Sequence, residues 1–166
     1  MKQSLFLLAL LAACFTISTC AITPDYSNVP ELKFMGISKN IMKQGALFSD
    51  SLEVYVDFTD GDGDIGAETT NLNPNLFIID SRTNNVYDAY KLPQIPEQGS
   101  NNGVEGTMVI KIYSVCCVYP KEENIIPCDT TSRYPINEMN LKIYMIDRAG
   151  NKSNEVQTSD ITLKCL

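Results

Sequence analysis

The stretch Leu52-Glu53-Val54-Tyr55-Val56-Asp57-Phe58-Thr59-Asp60-Gly61-Asp62-Gly63-Asp64-Ile65-Gly66 decides the fold. Leu52, Val54, Val56 and Phe58 alternate with Glu53, Tyr55 and Asp57. An extended chain puts the first set on one face and the second on the other, the pattern of a half-buried strand. The alternation runs into three carboxylates at i, i+2 and i+4, spaced by glycines, the residues most tolerant of positive φ. A strand therefore ends in a turn that gathers negative charge.

Working outward, the same period recurs. Leu32 to Ile37, Leu76 to Asp80, Val86 to Tyr90, the set Met108, Ile110 and Ile112, the set Leu141, Ile143 and Met145, and the set Ile161, Leu163 and Cys165 each read as short strands. Asn84-Asn85 is a turn, and the proline-, glycine- and asparagine-rich run from Pro93 to Gly106 is a loop. No window carries a long apolar stripe at helical spacing. About seven short strands predict an all-β sandwich or barrel. The chain's 166 residues suit one such domain, which would bury roughly two thirds of its unfolded surface and needs no metal or disulfide merely to fold.

A net charge of −7 with no basic stripe argues against nucleic acid and against an anionic membrane surface as an electrostatic partner. The N-terminus reads as a targeting segment: Lys2 supplies the positive start, Leu5 to Ala13 the apolar stretch, and Cys14 follows. Leu11-Ala12-Ala13-Cys14 resembles a bacterial lipobox, with Cys14 the lipidated first residue of the mature chain. Ile17-Ser18-Thr19-Cys20 is a second candidate, with the bulkier Thr19 before the cysteine. The alternatives are a secretory peptide cut near Ala21, and an uncleaved anchor, since Ser4 to Ile22 carries no charge. Residues 1–13 are thus a lipoprotein signal peptide, 14–30 the lipidated N-terminus and a proline-bearing tether, and 31–166 the β-sandwich domain. Cleavage removes Lys2 and no acid, leaving the mature chain one unit more negative.

Tyr144 to Val156, with Asp147-Arg148-Ala149-Gly150-Asn151 at its centre, resembles the closing strand–turn–strand of bacterial immunoglobulin-like and fibronectin-III-like domains. Asp147 suits a side-chain cap, and Gly150-Asn151 tolerates left-handed backbone. Taken with the lipobox, Phe58-Thr59-Asp60-Gly61-Asp62-Gly63-Asp64-Ile65-Gly66, Phe77 to Arg82, Pro93 to Gly99 and Cys116-Cys117-Val118-Tyr119-Pro120, the chain resembles small Bacteroidetes-type lipoproteins with an immunoglobulin-like sandwich. The resemblance implies an immunoglobulin-like β-sandwich of about seven strands and a lipid-anchored place in the cell envelope, at the outer membrane. It brings no activity with it. Surface-exported members often carry an acidic run after the lipidated cysteine; here Phe15-Thr16-Ile17 stands there.

Four cysteines lie in the domain: Cys116, Cys117, Cys128 and Cys165. In an exported chain they imply two disulfides. Adjacent cysteines bridge only with strain, and on a strand they face opposite ways. One of Cys116 and Cys117 therefore faces the core or Cys165, and the other the loop bearing Cys128. A zinc tetrad is the alternative, but the two Cys-x-x-Cys knuckles are missing.

With no histidine in the chain there is no Ser-His-Asp triad, Cys-His pair or His-ligated zinc. Paired carboxylates among Asp57, Asp60, Asp62, Asp64 and Glu68 leave a secreted glycosidase-like hydrolase as the alternative reading. A catalytic acid needs an apolar pocket, however, and these residues sit on or around a glycine-rich turn. The favoured expectation is a non-catalytic, membrane-tethered binding or structural module whose partner is an envelope protein or glycan. Asp60, Asp62 and Asp64 are candidate calcium ligands, with Asp57 and Glu68 as helpers. The loop departs from an EF-hand, with Ile65 where that loop needs glycine and Asn71 where it needs glutamate, so the expected affinity is weak, ~10⁻⁴–10⁻³ M. A solvated Asp-Gly turn is the other reading.

Lipidation at Cys14 has a direct check. Globomycin should make the precursor accumulate, and Cys14→Ser should release or mislocalise the protein. Continued palmitate labelling of Cys14→Ser would move the site to Cys20.

Overall fold

The computed structural model describes residues 25–46, 48–96 and 103–166. The segments expected to be a signal peptide (1–13) and, from Cys14 to residue 24, a lipidated N-terminus and tether lie outside the described residues. Ten strands are present: β1 Glu31–Ile37, β2 Ile41–Lys43, β3 Ser51–Asp60, β4 Leu76–Asp80, β5 Asn85–Tyr90, β6 Val104–Tyr113, β7 Ile136–Met139, β8 Leu141–Met145, β9 Val156–Gln157 and β10 Ile161–Lys164. A 3₁₀ turn occupies Lys121–Glu123, and there is no α-helix among the described residues.

One sheet has the order β1-β3-β6, a second β5-β4-β8-β9, and a third β2-β10-β7. The third continues the second. β7 and β8 are one line of chain interrupted at Asn140, and β9 and β10 are another. The break is stitched where Leu141 N donates to Thr158 Oγ1 at 3.0 Å and Thr158 N donates to the Leu141 carbonyl at 2.9 Å. β2 runs parallel to β10 along the outer side. The order β1-β3-β6 against β5-β4-β8-β9 matches strands A-B-E against C′-C-F-G of an immunoglobulin sandwich.

The expected all-β sandwich is therefore present, with ten strands in place of about seven. The additional ones, β2, β7 and β9, have three, four and two residues. Segments this short carry no readable period and are held by pairing with neighbours. β6 also starts at Val104, inside the stretch expected to be loop.

The core follows the alternation. Leu52, Val54, Val56 and Phe58 of β3 are buried between more exposed Glu53, Tyr55 and Asp57. With Leu32, Ile110 and Ile112 they form one inner face. Leu76, Ile78, Leu141, Ile143 and Met145 form the other, and Met42, Ile161 and Leu163 extend it in a single cluster. Each such aliphatic side chain contributes about 1.5–3 kcal/mol on burial.

Covalent and ionic ties hold the far end. Cys117 pairs with Cys165, both buried, and Cys116 pairs with Cys128 in the loop, the outward–inward split expected of adjacent cysteines. Beside them Arg82 clamps Asp80 through Nε at 3.0 Å and Nη2 at 2.6 Å, each side chain only 9% exposed. Arg82 Nη1 donates to Asn137 Oδ1 at 2.8 Å, and Asn137 in turn holds both backbone groups of Val118.

β6 has no strand partner other than β3 among the described residues. Tyr90 Oη donates to the Lys111 carbonyl at 3.0 Å, and Tyr87 Oη donates to the Tyr113 carbonyl. Two tyrosines of β5 thus cover part of the free edge of β6. Burial pushes the Tyr87 hydroxyl up to about 12, so it remains a donor at neutral pH.

Two outcomes follow for stability. Thiol titration of denatured, unreduced protein should find no free thiol at Cys116, Cys117, Cys128 or Cys165, and peptide mapping should recover the 116–128 and 117–165 links; four free thiols would contradict the structure. Arg82→Ala strands a buried carboxylate and should cost about 3–5 kcal/mol in urea unfolding. A loss below about 1 kcal/mol would mean that the pair is solvated.

Candidate metal centre

β3 does not stop at its hydrophobic residues. Counting by twos from Leu52 through Phe58 brings Asp60 to the inner face, where it is fully buried. Counting by twos along β8, from Leu141 through Ile143 and Met145, brings Asp147 inward at 6% exposure. The β3–β4 loop then returns Asp64 to the same place. Ile65, 2% exposed, pins that loop to the core, and Gly63 and Gly66 take the positive φ values of 69° and 86° that its path requires. Gly66 also passes close to Pro93, where a Cβ would stand 2.0 Å from the Pro93 carbonyl oxygen.

Asp60, Asp64 and Asp147 each offer a carboxylate oxygen within 4.8 Å of the others. Part of each carboxylate is used locally. Asp60 Oδ2 accepts from Asp64 N at 2.9 Å, and Asp64 Oδ2 accepts from Ala149 N at 2.8 Å. Asp147 caps its own turn as expected, accepting from Asn151 N at 2.7 Å and Nδ2 at 2.9 Å. Asp60 Oδ1 and Asp64 Oδ1 are left buried with no hydrogen-bond partner among the described residues.

The electrostatics are unfavourable without a counter-charge. At 4.8 Å two carboxylates repel by about 3 kcal/mol at an effective dielectric of 20. Burial first, and then the charge of Asp62, push the Asp60 carboxyl up to about 6. Burial and the charge of Asp147 push Asp64 upward as well, against the pull of Arg148. Arg148 does not neutralise the cluster with an ion pair; its Nη1 donates to the Ile65 carbonyl at 3.2 Å. A proton or a hard cation could relieve the strain. Three carboxylate oxygens, completed by carbonyls and water, suit calcium's six to eight oxygen ligands.

Of the residues expected from the sequence, Asp60 and Asp64 are brought together. Asp62 is exposed and contributes charge nearby without a ligand atom in the cluster. Asp57 faces the opposite side of β3 and accepts from Thr107 Oγ1 at 2.6 Å. Glu68 is exposed and borders a separate cleft of about 440 Å³ that also reaches Asn71, Asn73 and Asp147. Asp147, read from sequence as a turn cap alone, is the third member. Its signal was the period of β8 carried two residues past Met145.

Comparison with protein-family models, with curated proteins and with solved structures finds no match for this chain.

A sign follows for pH. Asp60 titrates near 3.8 when unfolded and near 6 when folded, so between these values the folded state holds the extra proton. Its contribution is complete below 3.8 and is lost as pH rises through about 6. Metal-free protein should therefore lose about 2 kcal/mol between pH 4 and 7, allowing for screening by water at the loop. Asp60→Asn should flatten that slope. Rising stability of metal-free protein over this range would contradict a buried, uncompensated carboxyl.

Proposed function

We propose that this protein is a non-catalytic sandwich module of the cell envelope, lipid-anchored at Cys14 and stabilised by calcium at Asp60, Asp64 and Asp147. It acts as a binding or structural element facing an envelope protein or glycan. The observation that carries the calcium reading is the pair of buried, unpartnered oxygens on Asp60 and Asp64, within reach of Asp147. Burying a carboxylate without a partner is costly, and an oxygen-seeking cation offsets that cost. Two disulfides among the four domain cysteines support an oxidising compartment outside the cytoplasm. The leader and its lipobox support the anchor.

The raised Asp60 carboxyl is the feature that favours the alternative hydrolase. Against it, Asp60 is fully buried, and the nearby cleft that holds Glu68 and Asp147 has, among the described residues, no aromatic lining on which a sugar would stack. The protein therefore reads as a binder that uses its carboxylates to complete the fold.

Thermal unfolding in millimolar calcium against chelator tests the centre. Calcium at ten times its dissociation constant should stabilise by about 1.4 kcal/mol, raising the melting temperature by about 5 °C. Asp60→Asn and Asp64→Asn should abolish the rise, and Asp62→Asn should keep most of it. An unchanged melting temperature removes calcium from the proposal. A shift that depends on Asp62 would restore the ligand set expected from sequence.

A further inference from the structure

Residues 25–30, the last of the tether, are laid against the domain at the acidic end. Gly61 N donates to the Ser27 carbonyl at 2.7 Å, from the position next to Asp60. The approach is backbone on backbone: a Cβ on Gly61 would stand 2.2 Å from the Tyr26 carbonyl oxygen and 2.8 Å from Asn28 Oδ1. From the other side Asn151 Nδ2 reaches the Asn28 carbonyl at 3.4 Å, and the same nitrogen donates to Asp147 Oδ2. Tyr26 Oη donates to Glu105 Oε2 at 2.5 Å. This strap is thus bonded to both turns that supply the cluster, the one with Asp60 and Asp64 and the one with Asp147.

We propose that the acidic centre is a cation-operated clamp on this strap. Cation bound between Asp60, Asp64 and Asp147 holds the two turns together and so presents Gly61 N and Asn151 Nδ2 to the strap at once. Without it, repulsion among the carboxylates parts the turns, and the strap loses both anchors together. The inference rests on the cation reading above and adds a consequence to it. Releasing residues 25–30 lengthens the connection to the N-terminus by up to about 20 Å. Cation concentration would therefore set how far, and how freely, the domain stands from whatever holds its N-terminus. The coupling is reciprocal, so a docked strap tightens cation binding by the same factor that cation tightens the strap.

Amide hydrogen exchange of the full mature protein, with calcium chloride or chelator, reads both halves. Calcium should slow exchange of the Gly61 amide and of residues 25–30 by at least about tenfold, beyond any change at the central strands. Gly61→Ala, which leaves every carboxylate in place but cannot seat the strap, should abolish the slowing in 25–30. It should weaken calcium binding severalfold by calorimetry. Calcium that raises the melting temperature while leaving strap exchange unchanged overturns the clamp and leaves the metal centre standing. So does a Gly61→Ala variant with unchanged calcium affinity. If the wild-type protein shows no binding heat and no melting shift with calcium, both the metal centre and the clamp are wrong.

Discussion

Every second side chain of β3 must point into the sandwich, and that requirement continues past the last hydrophobic residue. It buries Leu52, Val54, Val56 and Phe58, and at the same step it buries Asp60. β8, in the facing sheet, does the same with Leu141, Ile143 and Met145 and then Asp147. The two sheets thus deliver a carboxylate each to one end of a common core. The geometry that builds the hydrophobic interior also builds the charge cluster, so shifting β3 by one residue would undo both. Strand periodicity brings Asp60, the last residue of β3, and Asp147, just past β8, to the end of the core, and the β3–β4 loop adds Asp64.

Much of this was legible in the sequence. Seven of the ten strands, the absence of helix among the described residues and the separate partners of Cys116 and Cys117 all follow from a period of two and from the reach of a disulfide. At the site the local pattern carries less. Asp60, Asp62 and Asp64 group together as neighbours in sequence, whereas strand and loop geometry keeps only Asp60 and Asp64 together. Asp62 turns to solvent, and Asp57 lies on the outer face because it falls on odd count. Asp147 was visible as a turn former, but its distance from Asp60 is set by sheet packing, which no local pattern encodes. The Arg82–Asp80 pair and its link to Asn137 were also beyond reach, since Asn137 lies 55 residues from Arg82.

Different forces hold the two ends of the sandwich. At one end, two disulfides, a buried ion pair and the Asn137 side chain tie the chain together, and Asn140 Oδ1 is the one buried oxygen there without a hydrogen-bond partner among the described residues. At the other, oxygens are left open and the carboxylates push apart. Asn154 marks the boundary, clasping both backbone groups of Leu32 through Oδ1 and Nδ2 and so tying β1 to the turn region. Stability is therefore polarised along the strands, with a fixed end and an end that answers to its solution.

The tyrosine cover on β6 has a consequence for how copies of the chain meet. A ten-residue edge strand offers carbonyl and amide groups that a second molecule can extend into a continuous sheet. Tyr87 and Tyr90 occupy two of those carbonyls from within the same molecule. An incoming strand would have to displace two tyrosine hydroxyls before gaining its first bonds there. The domain can therefore be packed densely beside its own kind without zipping into fibres along that end of β6.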